Sequence, residues 1–167
     1  GRQPPNWIYD RGFTKDTVEA WEFSISDQKS LVIPIKDRHN KFVGWVCRQP
    51  EGRLPKYIYS TGLKTSKVLF GENMLPKNSK ELYIVEGTLD AIWLYQNGYN
   101  AVSLLGLNMS VDQENALRRI NADSYIIALD NDNAGINAGD RIGSRLEKYG
   151  LVRYMNLGEM YKDVQDI

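Results

Sequence analysis

The 167 residues carry 21 Lys/Arg, 21 Asp/Glu and one histidine, for a formal net charge of zero, and 42% hydrophobic content is enough for a proper core in one good-sized domain or two small ones. No apolar run approaches the roughly 18–20 residues of a membrane span. With one cysteine, Cys47, and one histidine, His39, an internal disulfide and a Cys/His zinc ribbon are both excluded within this stretch, and the expected setting is reducing and cytoplasmic.

The first half opens with "FTKDTVEAW", where Thr14 stands as an N-cap before a short amphipathic helix reaching Trp21. Two β-like runs follow, "SLVIPIKD" and "KFVGWVCR", joined by the polar turn "DRHN", which predicts a hairpin. A third run, "KYIYS", follows Pro55. These pieces predict a small α+β subdomain of antiparallel strands over residues 1–78. "LPKNSKE", residues 75–81, gathers Pro, Asn and Ser and is the expected seam. Charge changes sign across it. Residues 1–80 carry 14 Lys/Arg against 8 Asp/Glu, whereas 81–167 carry 7 against 13. Such polarity suggests phosphate partners for the first half and cations for the second.

Strand and helix alternate over residues 79–167. "LYIVE" predicts a buried strand, followed by a helix from Thr88 to about Asn97 that Gly98 closes. "AVSLLG" is a second strand, and "SVDQENALRRI" a second helix with Ser110 as its cap. "SYIIALD" is a third strand, "NAGINAGDRIGSRLEKYG" a third helix weakened by glycines, and "LVRYMNL" a fourth strand. Apolar strands separated by helices predict an α/β domain with a mostly parallel four-stranded sheet covered on both faces.

Ligands of such sheets bind at the carboxyl ends of the strands. Glu86 ends the first strand and Asp130 the third, and Asp132, two residues on, faces the same way in an extended segment. Gly87 allows a tight strand-to-helix turn. Asp163 and Asp166 follow the fourth strand. Each acid alone has a plain explanation: Asp132 as a helix N-cap, Asp90 as a complement to a helix dipole, Asp163 and Asp166 as solvated loop. Together at one edge they predict a site for Mg²⁺ or Mn²⁺, because hard oxygen donors without His or Cys suit those ions.

These residues carry a family resemblance. "YIVEGTLDAIWL" resembles the glutamate motif of the TOPRIM fold, through Glu86, Gly87 and Asp90, and "ALDNDNAG" resembles its DxD motif, through Asp130 and Asp132. "RGFTKDTVEAW", "LVIPIKDRHNKFVGWVCR", "PKYIYS" and "SKVLFG" are similar to the N-terminal subdomain of the DnaG-type primase polymerase core. "KDVQD" is similar to its closing acidic motif. The resemblance implies a TOPRIM domain over residues 79–167, behind the basic subdomain. It also implies a DNA-directed RNA polymerase that makes short RNA primers on single-stranded DNA from NTPs. Two or more divalent ions, about 3.5–4 Å apart, are implied at the site.

Under that resemblance Asp130, Asp132, Asp163 and Asp166 are metal ligands, and Glu86 is a metal ligand or the base that receives the hydroxyl proton. Asp90 supports them. Arg48, Lys56 and Lys67 match basic positions of the motifs and are expected on nucleotide phosphates or template. A replicative helicase and a zinc-binding module are implied partners, through regions outside this stretch. A TOPRIM nuclease is the nearest enzymatic alternative, and a non-catalytic nucleic-acid-binding module the other. Trp45, Tyr57 and Tyr59 are expected in core packing, Cys47 as a buried hydrophobe, and His39 in a turn without chemistry.

Overall fold

Period-two alternation shapes the first half as expected. The computed structural model describes residues 3–165, with side chains through residue 161. Its chain forms two compact units, Gly1–Leu63 and Lys64–Ile167. In the first, α1 (Trp7–Asp10) precedes α2 (Lys15–Ala20), whose cap Thr14 accepts a hydrogen bond from the Thr17 N–H at 3.3 Å. Strands β1 (Ser24–Ile25), β2 (Leu31–Lys36), β3 (Phe42–Arg48) and β4 (Tyr57–Tyr59) then form an antiparallel sheet in chain order. Along β2, Leu31, Ile33 and Ile35 are fully buried while the residues between them are half-exposed. The predicted hairpin turn closes on Asp37, whose carboxylate accepts the His39 and Lys41 N–H groups at 2.9 and 3.0 Å.

The second unit is the parallel α/β sheet. Strands β5 (Glu81–Val85), β6 (Ala101–Ser103), β7 (Ser124–Ile127) and β8 (Leu151–Tyr154) lie in the order β6-β5-β7-β8, every pairing parallel. Helices α3 (Thr88–Gln96), α4 (Val111–Ile120), α5 (Asn133–Leu146) and α6 (Leu157–Gln165) connect and follow them. Leu82, Tyr83, Ile84 and Val85 are all buried, so the central strand is covered on both faces, as its unbroken apolar run requires. Only β8, an edge strand, departs from that pattern, with Leu151 and Tyr154 exposed.

Three details differ from the sequence expectation. The second unit begins at Lys64 rather than beyond the seam at 75–81, because the intervening segment is tied to the parallel sheet. Phe70 forms an antiparallel bridge with Ser103, and the Gln113 amide donates to the Thr65 and Val68 carbonyls. The third strand stops at Ile127, although the Ala128 N–H still donates to the Ile84 carbonyl at 2.9 Å, so Asp130 stands on the loop beyond it. The glycines of α5 are its packing face. A Cβ on Gly143 would lie 2.1 Å from the Tyr154 hydroxyl oxygen and 3.3 Å from Val152, so the helix approaches β8 closely enough to cover the sheet.

Tyr125 is fully buried in this core, and its hydroxyl donates to the Leu117 carbonyl of α4 at 3.0 Å. Tyr125→Phe is expected to cost about 1 kcal/mol, the net worth of one buried hydrogen bond. Urea unfolding measures it. A wild-type midpoint would mean that the bond contributes nothing to holding α4 on the sheet.

Candidate active site

Neighbours hold the Glu86 backbone and the carboxylates of Asp90 and Asp132 at the carboxyl edge. Glu86 follows β5 directly, and its backbone carbonyl accepts the hydroxyl of fully buried Ser103 at 2.7 Å. The same hydroxyl oxygen accepts the Leu105 N–H at 3.0 Å, so the loop after β6 is locked to the loop after β5. Gly87 caps α3 in an extended conformation, φ −104°, that any residue adopts. The turn therefore does not depend on glycine's freedom, contrary to the expectation. Asp90, in the first turn of α3, accepts a short hydrogen bond from the Tyr161 hydroxyl of α6, and the Tyr161 ring packs edge-on against Trp93 at 4.1 Å.

Asp132 is the N-cap of α5 and accepts the Gly135 N–H at 2.7 Å. That capping role and a place at the acidic edge coexist in one residue. Gly135 is the tightest position in the molecule's acidic region. A Cβ there would sit 1.9 Å from the Asp130 carbonyl oxygen and 3.1 Å from the Asp132 carboxylate, so only glycine lets the helix start this close to the loop.

The charges interact strongly. The Glu86 carboxyl is pushed up from its ordinary 4.5 to about 7, first by burial, then by the Asp130 carboxylate, to which it hydrogen-bonds, and then by Asp132 and Asp90. Four acids thus lie within electrostatic reach, and two of them touch. Like charges in contact hold a proton or a cation between them. Among the described residues no three His, Cys, Asp or Glu side chains, Glu86, Asp130 and Asp132 included, are grouped so as to hold a metal ion. The donor set nevertheless suits Mg²⁺ or Mn²⁺, since Mg²⁺ is commonly bound through one or two carboxylates and fills its remaining positions with water and substrate phosphate.

The other candidate residues fall elsewhere. Asp163 lies in α6 with its side chain outside the described residues, and Asp166 lies outside them altogether. Lys67 ends a 3-10 turn of the second unit, with its amine 3.8 Å from Asp112 and both side chains more than half exposed. Arg48 and Lys56 belong to the first unit. Lys56 is exposed, but Arg48 is only 7% exposed, lies over the Tyr57 ring at 5.4 Å and donates to the Gln49 carbonyl at 2.8 Å. Its Nε is buried without a hydrogen-bond partner, and the residue lines a cleft of about 290 Å³ with Trp7, Asp10, Arg11, Gln49 and Glu51. Trp45, expected in the core, is 37% exposed, while Cys47 is buried. Ser103, Gly135 and Tyr161 were not singled out by the sequence. A serine ending a strand and a tyrosine on the last helix give no periodic signal, and Gly135 reads there only as a weak helix former.

A family model described as Toprim-like matches residues 83–167, half of the chain, over this same edge. The chain belongs to the Toprim-like family. Among curated relatives of this Toprim-like chain, a DNA primase of Rickettsia felis is 37% identical over 118 residues, covering 66% of the chain and 20% of the relative. A DNA primase of Mycoplasma genitalium is 30% identical over 151 residues, 84% of the chain and 24% of the relative. The chain therefore spans a fifth to a quarter of the length of these relatives. The solved structure of the Aquifex aeolicus primase (zinc-binding and RNA polymerase domains) superposes with a TM-score of 0.77 at 22% identity, over 96% of this chain and 53% of that one. At that identity the likeness is one of fold. The domain is thus Toprim-like, and these curated relatives are DNA primases.

Two outcomes follow from the crowding at the edge. Gly135→Ala must displace the Asp130 carbonyl and is expected to cost about 1–3 kcal/mol, as overpacking does. Wild-type thermal stability would show that the loop yields freely. The raised Glu86 carboxyl makes the metal-free fold pH-dependent. Between about 4.5 and about 7 the folded chain keeps a proton that the unfolded chain gives up, so this contribution to stability is lost as pH rises through that window. Denaturant unfolding across it should show the decline, and Glu86→Gln should flatten it. A stability that climbs across the window equally in both proteins would contradict the contact.

Proposed function

We propose that this chain is the catalytic core of a DnaG-type DNA primase, a nucleotidyltransferase that makes short RNA primers on a single-stranded DNA template from NTPs. The observation that carries this reading is the contact between Glu86 and Asp130 at the carboxyl edge of the parallel sheet. In the reaction a 3′-hydroxyl attacks the α-phosphate of an incoming NTP, a phosphodiester forms, and pyrophosphate leaves.

Glu86, Asp130 and Asp132, joined by Asp163, would hold Mg²⁺ or Mn²⁺. Two such ions supply charge stabilisation to the attacking and leaving oxygens of an in-line displacement. The chain's own residues prepare that site. Ser103 holds the Glu86 backbone, Asp132 caps α5 and keeps the DxD loop seated, and Tyr161 holds Asp90 beside them. A Glu86 carboxyl that titrates near neutrality also suits the transfer of the hydroxyl proton, since a general base works best with a pKa near the operating pH.

Arg48, Lys56 and Lys67 are assigned to nucleotide phosphates or the template backbone. Arg48, although buried, lines a cleft, and its Nε has no protein partner. We assign only nucleotidyl transfer to these 167 residues. A zinc-binding module and a replicative helicase would engage a full-length primase through other segments, in the cytoplasm of a bacterium or a phage-infected host. Among the described residues no helix is long and apolar enough to cross a membrane.

Incubation with single-stranded DNA, labelled ribonucleotides and Mn²⁺ tests the reading. Short, alkali-labile products are expected, and Asp130→Asn should abolish them while leaving the fold intact. Nicked or shortened DNA in their place would favour the TOPRIM nuclease, and binding without either product the non-catalytic module. Lys56→Ala and Lys67→Ala should each weaken template or nucleotide binding and lower its salt dependence, because fewer counterions are released. Unchanged affinity at several salt concentrations would return both lysines to ordinary surface charge.

A further inference from the structure

We infer that Gln113 is a positioning residue that sets Lys67 relative to the acidic edge through a buried amide clamp. The inference rests on the assignment of Lys67 to phosphate. Gln113 is the third residue of α4, and its Oε1 accepts the Ser110 N–H at 3.0 Å while the Ser110 hydroxyl accepts the Gln113 N–H at 3.0 Å. A capping box needs nothing more than this reciprocal pair. Here the other end of the amide is also committed. The two Nε2 hydrogens are shared among the carbonyls of Thr65 at 3.2 Å, Val68 at 3.0 Å and Leu104 at 3.0 Å, and the residue is 2% exposed.

Those three carbonyls come from two segments. Thr65 and Val68 bracket Lys67, and the Ser110 hydroxyl donates to the remaining neighbour, the Ser66 carbonyl, at 2.5 Å. Leu104 follows Ser103, the residue that holds the Glu86 carbonyl. One buried side chain therefore ties the backbone on both sides of Lys67 to the strand that fixes Glu86. Among the described residues the Lys67 amine is held only by the exposed 3.8 Å pair with Asp112, an interaction that contributes little in solvent. Anchoring the backbone fixes where the Lys67 side chain begins, and its loosely held amine is free to exchange Asp112 for phosphate. An amide suits the clamp better than a charged group, because three converging carbonyls want N–H donors while the other end must accept.

The test is a double-mutant cycle on ATP binding, measured by calorimetry on the intact chain with Mn²⁺ present. Lys67→Ala is expected to weaken binding on the order of tenfold, the loss of one charge-assisted contact. Gln113→Met, close in shape and without donors, should weaken it comparably in the wild-type background and add nothing in the Lys67→Ala background. Should Gln113→Met fail to fold, Ser110→Ala, which frees the Ser66 carbonyl, is read in the same cycle. An equal loss in both backgrounds would show that Gln113 acts independently of Lys67 and overturn the inference while leaving Lys67 on phosphate. Unchanged affinity in Gln113→Met would overturn it as well. No effect of Lys67→Ala would overturn the assignment of Lys67 to phosphate, and the inference with it.

Discussion

At the end of a parallel sheet Glu86, whose own partial burial already disfavours its charge, is brought into contact with the exposed carboxylate of Asp130. Such a contact is unfavourable unless a proton or a cation occupies it, so the surrounding structure has to hold it in place. Much of the second unit serves that purpose. The sheet order places β5 beside β7, which brings the loops carrying the two acids side by side. Ser103 fixes the first loop from the neighbouring strand, and the start of α5 fixes the second. Gly135 lets that helix begin against the backbone of Asp130 itself.

The positive groups are held differently. The segment before Lys67 and after it is pinned by side chains at the start of α4, whereas the Lys67 amine is exposed. Arg48 shows the reverse arrangement, a buried guanidinium stacked on Tyr57 with one N–H left without a protein partner. Hydrogen bonds to the backbone at Glu86 and Asp132 and around Lys67 fit a site that works by positioning, in which orientation supplies much of the rate enhancement.

Most of the architecture was legible in the sequence because two periodicities carry it. Period-two alternation gave β2 and the hairpin turn, and unbroken apolar runs between helices gave the parallel sheet. The acids were legible because strand ends mark the ligand-binding edge of such a sheet. What escaped depends on contacts between residues far apart in the chain. Ser103 reaches Glu86 across two strands, Tyr161 reaches Asp90 from the last helix, and Gln113 joins segments that no local pattern relates. The glycines of α5 were read as weakening a helix, since propensity is local while their use, making room for Tyr154 and Asp130, is not. The compact units divide at Lys64, ahead of the seam read at 75–81, for the same reason. A Pro- and Asn-rich stretch signals a turn, but the residues before it are held by long-range hydrogen bonds.

A proton held between Glu86 and Asp130 has to leave when a divalent ion binds there. Calorimetric titration with Mn²⁺ near pH 6, repeated in two buffers of different ionisation enthalpy, measures the protons released per ion bound. Release is expected for the wild-type chain and is expected to vanish in Glu86→Gln. Binding of Mn²⁺ with no proton released from the wild type would contradict that exchange.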